Sequence, residues 1–274
     1  MADAAAPLAS FESKWSAAHP ELGLALGFVD ARRRDAQAAW ACLGFELEHA
    51  AFALGDAEPA AIKLQWWAEE LAGLGRGVAR HPLTQALLAQ PRVVEIAPAR
   101  WAAAIGGAFA QRDAEPAASR DALLDGYAAL YGPLAEIEST LFGAADAPSL
   151  ARAQALARAL RETAMLAQTL RAGRLPVPLD LLARHRLARG DLARAAPAQA
   201  ALLREWLAAL AAELARLRGR PLGVVGAAAA AANRVRARRA GGAADPLAAL
   251  SAGSARLPFA AVWAAWRAGR RSPH

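Results

Sequence analysis

The chain has 274 residues, 56% of them hydrophobic but only 6% aromatic, and a formal net charge of +7. The wealth of Ala and Leu and the near absence of alternating β-branched runs exclude a sheet protein and predict a single all-α domain. The charge, with a pI near 10.8, rests on arginine, since Lys14 and Lys63 are the only lysines; the arginines are scattered rather than gathered in one stripe with interleaved aromatics, which argues against nucleic acid as a partner.

Residues 1–10 are expected to fray, leaving a helical domain over residues 11–267 and a loose tail at 268–274. After Pro20, Gly23 and Gly27, the spacing of Trp40, Leu43, Leu47 and Ala51 predicts a first long helix from about Ala31 to Leu54. Asp56 is an N-cap candidate ahead of Pro59, and Ile62, Leu64, Trp66, Trp67 and Leu71 mark a second helix stopped by Gly73, Gly75 and Gly77. Adjacent helical positions diverge by about 100°, so one of Trp66 and Trp67 is a core anchor and the other a half-buried neighbour.

His81-Pro82 opens a short helix through Leu88, Pro91 and Pro98 bracket a connector, and Trp101, Ile105 and Phe109 share a helix face. From Ser119 a long run through Leu123, Tyr127, Leu130, Leu134 and Phe142 predicts a helix ended by Gly143, with a bend at Gly132-Pro133. The next helix runs from Pro148-Ser149 to about Arg171; Pro176 and Pro178 force an extended stretch and Asp180 starts a short helix. Helices follow at Pro197–Leu217, Pro221–Arg239, Pro246–Leu250 and from Pro258 onward. Arg234, Arg236, Arg238 and Arg239 suit the C-terminal end of a helix, where cations favour the macrodipole; an anionic partner is the alternative reading.

Cys42 is the only cysteine, so no intrachain disulfide forms and a reducing compartment is expected. Met1 to Ser10 lacks the basic and leucine-rich regions of a secretory signal, and no stretch of about 18 apolar residues would span a bilayer. The expected location is cytoplasmic, with peripheral membrane association as the variant.

Trp40 to Ala50, then Ile62-Lys63-Leu64-Gln65-Trp66-Trp67-Ala68-Glu69-Glu70-Leu71, then His81-Pro82-Leu83, Tyr127 to Gly143 and Leu170 to Leu182 follow one another in the order found in squalene/phytoene synthases. Each piece is short, but together they cover about residues 28 to 267, and the chain resembles that family. It is more similar to the catalytically degenerate branch that includes the mitochondrial complex I assembly factor with a phytoene-synthase-like fold; Leu257-Pro258-Phe259 and Trp266-Arg267 belong to that likeness. The resemblance implies an isoprenoid-synthase-like helical bundle around a central cavity and does not by itself transfer an activity.

In catalytic members the resemblance implies a trinuclear magnesium cluster between carboxylates and the substrate diphosphate, because hard cations want oxygen ligands. Where the family has Asp-Asp-x-x-Asp, this chain has Glu48, His49 and Phe52. Where the second motif has its aspartates, Gln168, Leu170, Arg171 and Ala172 lead directly into Gly173-Arg174, and the acidic stretch is missing. No cofactor is expected; Mg2+ enters only if the chain is nonetheless an enzyme, and Glu69, Glu70 or Glu162 could supply carboxylates only without support from their spacing. Metal binding by histidine is equally unsupported, since no two of His19, His49, His81, His185 and His274 stand at ligand spacing.

The candidate ligand-binding residues are Glu46, Glu48, Tyr127, Tyr131, Arg171 and Arg174. Glu46 points to a different helix face from Glu48, and both could instead be solvated or paired with a cation. Tyr127 and Tyr131 share a face that would suit a lipid chain or an ordinary core. Arg171 and Arg174 could grip a phosphate bidentately without metal, against the alternative of a salt bridge or a helix C-terminus.

The preferred reading is a non-catalytic scaffold that binds a prenyl or other lipid-like ligand or a client protein. Its rivals are an active prenyltransferase joining two prenyl diphosphates head to head, and a peripheral membrane protein anchored through Trp263, Trp266, Arg267, Arg270 and Arg271.

Overall fold

The computed structural model describes residues 5–143, 145–252 and 259–271. Among them are fourteen α-helices: α1 (Ala5–Ala18), α2 (Pro20–Ala25), α3 (Arg34–Glu48), α4 (Ala57–Leu74), α5 (Pro82–Leu88), α6 (Pro98–Ala110), α7 (Arg120–Phe142), α8 (Ala147–Ala164), α9 (Leu166–Arg171), α10 (Leu179–Arg184), α11 (Pro197–Arg216), α12 (Gly223–Gly241), α13 (Pro246–Ala252) and α14 (Phe259–Gly269). The one extended pairing described is an isolated bridge between Ala145 and Leu222.

Local chemistry sets most boundaries. The Ser119 hydroxyl accepts from the Ala122 N–H to start α7, and Gly143, at φ 65°, takes the left-handed conformation that ends it. His81 caps α5 through Nδ1, which accepts from the Leu83 N–H at 3.2 Å, while its ring packs on Trp66 and Trp67. Trp67 is buried and Trp66 is not, as the helical geometry requires.

Three segments differ from the sequence expectation. Residues 5–10 begin α1 instead of fraying, because Leu8, Phe11 and Trp15 recur at helical spacing and pack on the core. The first long helix leaves α geometry after Glu48 and widens into a π turn, His49–Ala53, closed by the Leu54 N–H donating to the His49 carbonyl. The helix expected to reach Arg171 unbroken is interrupted at Met165 (φ −99°, ψ 31°), which separates α8 from α9. At the far end, Ala268 and Gly269 complete α14, whereas Leu257, Pro258 and His274 lie outside the described residues.

Pro133 sits in the middle of α7 and cannot donate to the Ala129 carbonyl one turn earlier. Opposite that carbonyl, α6 presents Gly107, where an added Cβ would lie 2.1 Å from the Ala129 oxygen. The glycine therefore lets two backbones meet at the point where the helix lacks a hydrogen bond. Gly107→Ala must push the helices apart and is expected to cost about 1–3 kcal/mol, read as a lower urea midpoint with an unchanged slope.

The main core runs through the bundle, with Trp206, Leu43, Leu47, Leu64 and Leu130 among its fully buried side chains. A second, small-residue cluster of Ala25, Val224, Ala228, Ala232, Ala261 and Ala265 joins α2, α12 and α14. Short side chains let these helices approach closely and fix which face of α14 is turned inward. No helix of the described residues is long and apolar enough to cross a membrane.

Candidate functional site: a cavity with an arginine-rich wall

A cavity of about 630 Å³ opens between α1, α3, α7, α8, α9 and α12. Its volume is that of a small-molecule site. Trp15, Trp40, Phe52, Leu134, Leu150 and Leu160 supply apolar wall, and the cations on it are Arg158, Arg161, Arg174 and Arg236.

The end of α3 decides which carboxylate enters. Glu46 and Glu48 stand about 200° apart on the helix. Glu46 turns away from the cavity and is held between Lys14 (2.9 Å) and Lys63 (2.5 Å), whose hydrogen bonds and charges outweigh burial and keep its carboxyl below the usual range. Glu48 lines the cavity and pairs with Arg161 at 2.5 Å. Burial pushes the Glu48 carboxyl up, but Arg161 and Arg158, with a hydrogen bond from Tyr131, hold it ionised and below its ordinary pKa. Beside it His19 is driven down to about 3 by burial and the Arg161 charge, so that ring stays neutral.

The π turn then brings Phe52 into the wall where an α-helix would have rotated it past. Two guanidinium groups pack on the ring, with Arg158 Cζ at 3.8 Å and Arg174 Cζ at 4.6 Å from its centroid. Behind it Glu162, 1% exposed, compensates both cations. Its Oε1 accepts from Arg158 Nη2 at 2.9 Å and Arg174 Nη2 at 2.6 Å, and its Oε2 accepts from the Tyr127 hydroxyl at 2.7 Å. Gly173, at φ 81°, makes Arg174 available by turning the chain back after α9.

The structure therefore brings Glu48, Phe52, Tyr131, Gln168, Ala172 and Arg174 to one cavity, with His49 also on its wall. It places three of the candidate ligand-binding residues elsewhere. Glu46 is taken by the lysines, Tyr127 stands one layer behind the wall, and Arg171 is exposed with its Nε donating to the Ala167 carbonyl of its own helix. Arg171 is the last residue of α9.

Arg158, Arg161 and Glu138, which the sequence did not single out, complete the site with Glu162, which it offered only as a carboxylate without supporting spacing. Arg158, Arg161 and Glu162 stand at i, i+3 and i+4 on α8, a spacing that could have been read as one face. Glu138 had no such signal. Its carboxyl lines the cavity, accepts from Trp40 Nε1 at 2.9 Å, has no cationic partner among the described residues, and is pushed by burial up to about 7 against the hydrogen bonds of Trp40 and Gln37. Gln154 adds a buried Oε1 without a hydrogen bond on the same wall.

Three magnesium ions would need a cluster of carboxylates, and this donor set does not fit them. Glu48 is engaged by Arg161, Glu162 is buried under two arginines, and no three His, Cys, Asp or Glu side chains gather into a metal-holding group among the described residues.

An all-helical bundle enclosing such a cavity defines an isoprenoid-synthase-like fold. A family-wide profile described as squalene/phytoene synthase matches residues 21–268, and the chain belongs to that family. Among solved structures it is similar to a dehydrosqualene synthase in complex with ligand, at 18% identity and a TM-score of 0.64, over 86% of this chain and 87% of that one. It is also similar to squalene synthase HpnC from Alicyclobacillus acidocaldarius, at 15% identity and a TM-score of 0.60, over 98% and 97% of the two chains. At these identities the likeness concerns the fold. No curated protein sequence matches the chain.

Proposed function

We propose that this chain is a non-catalytic squalene/phytoene synthase-like protein that holds a prenyl or other lipid-like molecule bearing an anionic head group in its central cavity, without metal. A lipid-binding or assembly-factor-type scaffold acting on a client protein is the role such a bundle would serve. The observation that carries this reading is Phe52, which occupies an aspartate position of the first motif and is packed against the guanidinium groups of Arg158 and Arg174. A wall built this way offers guanidinium donors to a phosphate directly and offers few oxygens to a metal.

Incubation with farnesyl or geranylgeranyl diphosphate and Mg2+ is expected to release no pyrophosphate. Calorimetry with the same diphosphate in EDTA is expected to show binding that Arg161→Gln weakens by about tenfold or more, the loss of one charge-assisted contact. Magnesium-dependent turnover that Glu48→Ala abolishes would instead establish an active head-to-head prenyltransferase and end the non-catalytic reading.

A further inference from the structure

On the side of the bundle formed by α12 and α14, Phe259, Trp263, Trp266 and Arg270 follow one another at four-, three- and four-residue spacing, so they share one face of α14. The three rings form a ladder, Phe259 to Trp263 at 6.5 Å and Trp263 to Trp266 at 4.7 Å, both stacked, with the Arg270 guanidinium 4.8 Å from the Trp266 ring. Phe259 is 79% exposed and Trp263 49%, among the largest apolar exposures described. The inward face of the same helix carries Ala261 and Ala265, and the aromatics are not part of that buried cluster. From Phe259 to Arg271 the chain has three arginines and no acidic residue.

Beside the ladder runs a groove of about 670 Å³ between α12, α14 and the loop that precedes α12. Its charged lining is Arg218, Arg220, Arg234, Arg267, Arg271 and a single acid, Asp146, which Arg220 already neutralises at 2.6 Å. Arg218, Arg234, Arg267 and Arg271 have no carboxylate partner among the described residues. Burial first, and then the charges of Arg218 and Arg238, lower the Arg234 pKa, so Arg234 sits among like charges.

We propose that this face docks onto an anionic phospholipid surface, with Phe259 and Trp263 entering the interfacial region and the arginine groove receiving lipid phosphates. Aromatic rings with an apolar body suit the headgroup level, and each nearby cation adds attraction to an anionic leaflet. A second copy of the chain is the poorer occupant, since a two-fold contact would set the same uncompensated arginines against themselves. The inference stands apart from the cavity, whose residues it does not use.

The test is flotation of the full chain with vesicles of phosphatidylcholine and phosphatidylglycerol in equal parts, against vesicles of phosphatidylcholine alone. Binding is expected on the mixed vesicles, with a decline as salt rises and far less on the neutral ones. Phe259→Ser with Trp263→Ser should lower partition by at least about tenfold, given the apolar area withdrawn. Arg234→Gln with Arg267→Gln should lower it by about fivefold per arginine on the mixed vesicles and leave the neutral ones unchanged. Both pairs are exposed or half-exposed, and unchanged thermal melts would show the fold intact.

Equal binding to both vesicle types, no binding to either, or partition that survives the arginine pair would overturn the proposal. So would a dimer in analytical ultracentrifugation that the aromatic pair dissociates while vesicle binding persists.

Discussion

Glu162→Gln is expected to lower folding stability by about 3–5 kcal/mol, the cost of stranding buried charge. One carboxylate there serves two guanidinium groups, and the side chains of Arg158 and Arg174 are themselves only 11% and 16% exposed. Glutamine keeps the volume and accepts from Tyr127, but it leaves the two cations that share Glu162 Oε1 without a counter-charge. Part of the loss is relieved by water reaching Arg174 through the cavity, which places the expected value in the lower half of that range. Chemical denaturation reads it directly. Arg174→Met in the Glu162→Gln background should recover stability, because it removes one of the orphaned charges. A change below about 1 kcal/mol for Glu162→Gln alone would mean that the pairing of Glu162 with Arg158 and Arg174 is solvated and weak.

Glu138→Gln should act in the opposite direction and depend on pH. The folded-state pKa of Glu138 is raised from 4.5 to about 7, chiefly by burial. An acid with a raised folded pKa favours the native state while protonated, so its contribution is complete below pH 4.5 and is lost as pH rises towards 7. At about 1.4 kcal/mol per pKa unit, the shift corresponds to roughly 3 kcal/mol. The variant cannot ionise and can still accept from Trp40. At pH 5 the two proteins should have similar urea midpoints, and by pH 8 Glu138→Gln should be the more stable by about 2–3 kcal/mol. A difference that does not change with pH would show that the carboxyl is compensated by something other than Trp40 and Gln37. The depressed carboxyls of Glu46, Glu48 and Glu70 shape a different window, since their stabilisation is lost as pH falls below the unfolded value of 4.5.

Much of the bundle was legible from short-range chemistry. Helix periodicity located α3 through α8 and α11 through α14, and the left-handed Gly143 and the His81 cap follow from the residues themselves. The opposite orientations of Glu46 and Glu48 follow from two residues of helical rotation. The helix at the N-terminus has only three large apolar residues at helical spacing, Leu8, Phe11 and Trp15, and docking on α3 and α5 is what makes so short a pattern count. The π turn was also invisible, since one extra residue in a turn leaves no mark on composition or spacing.

For the site, the departures at both motif positions could be read from residue types alone, because Phe52 and Ala172 cannot ligate a cation wherever they sit. What those positions do instead could not. Phe52 comes to pack against two guanidiniums only because α8 and the turn after α9 converge on it from more than a hundred positions downstream.

By itself the amino-acid order determined an all-helical chain, the family frame and the shortage of carboxylates, since these depend on local periodicity and on which atoms each side chain carries. Only the tertiary structure decided that Glu162 balances Arg158 and Arg174, that Glu138 is a carboxyl without a cation, and that Arg171 faces solvent. Burial and charge pairing are properties of distances between remote segments, and those distances exist only after the chain has folded.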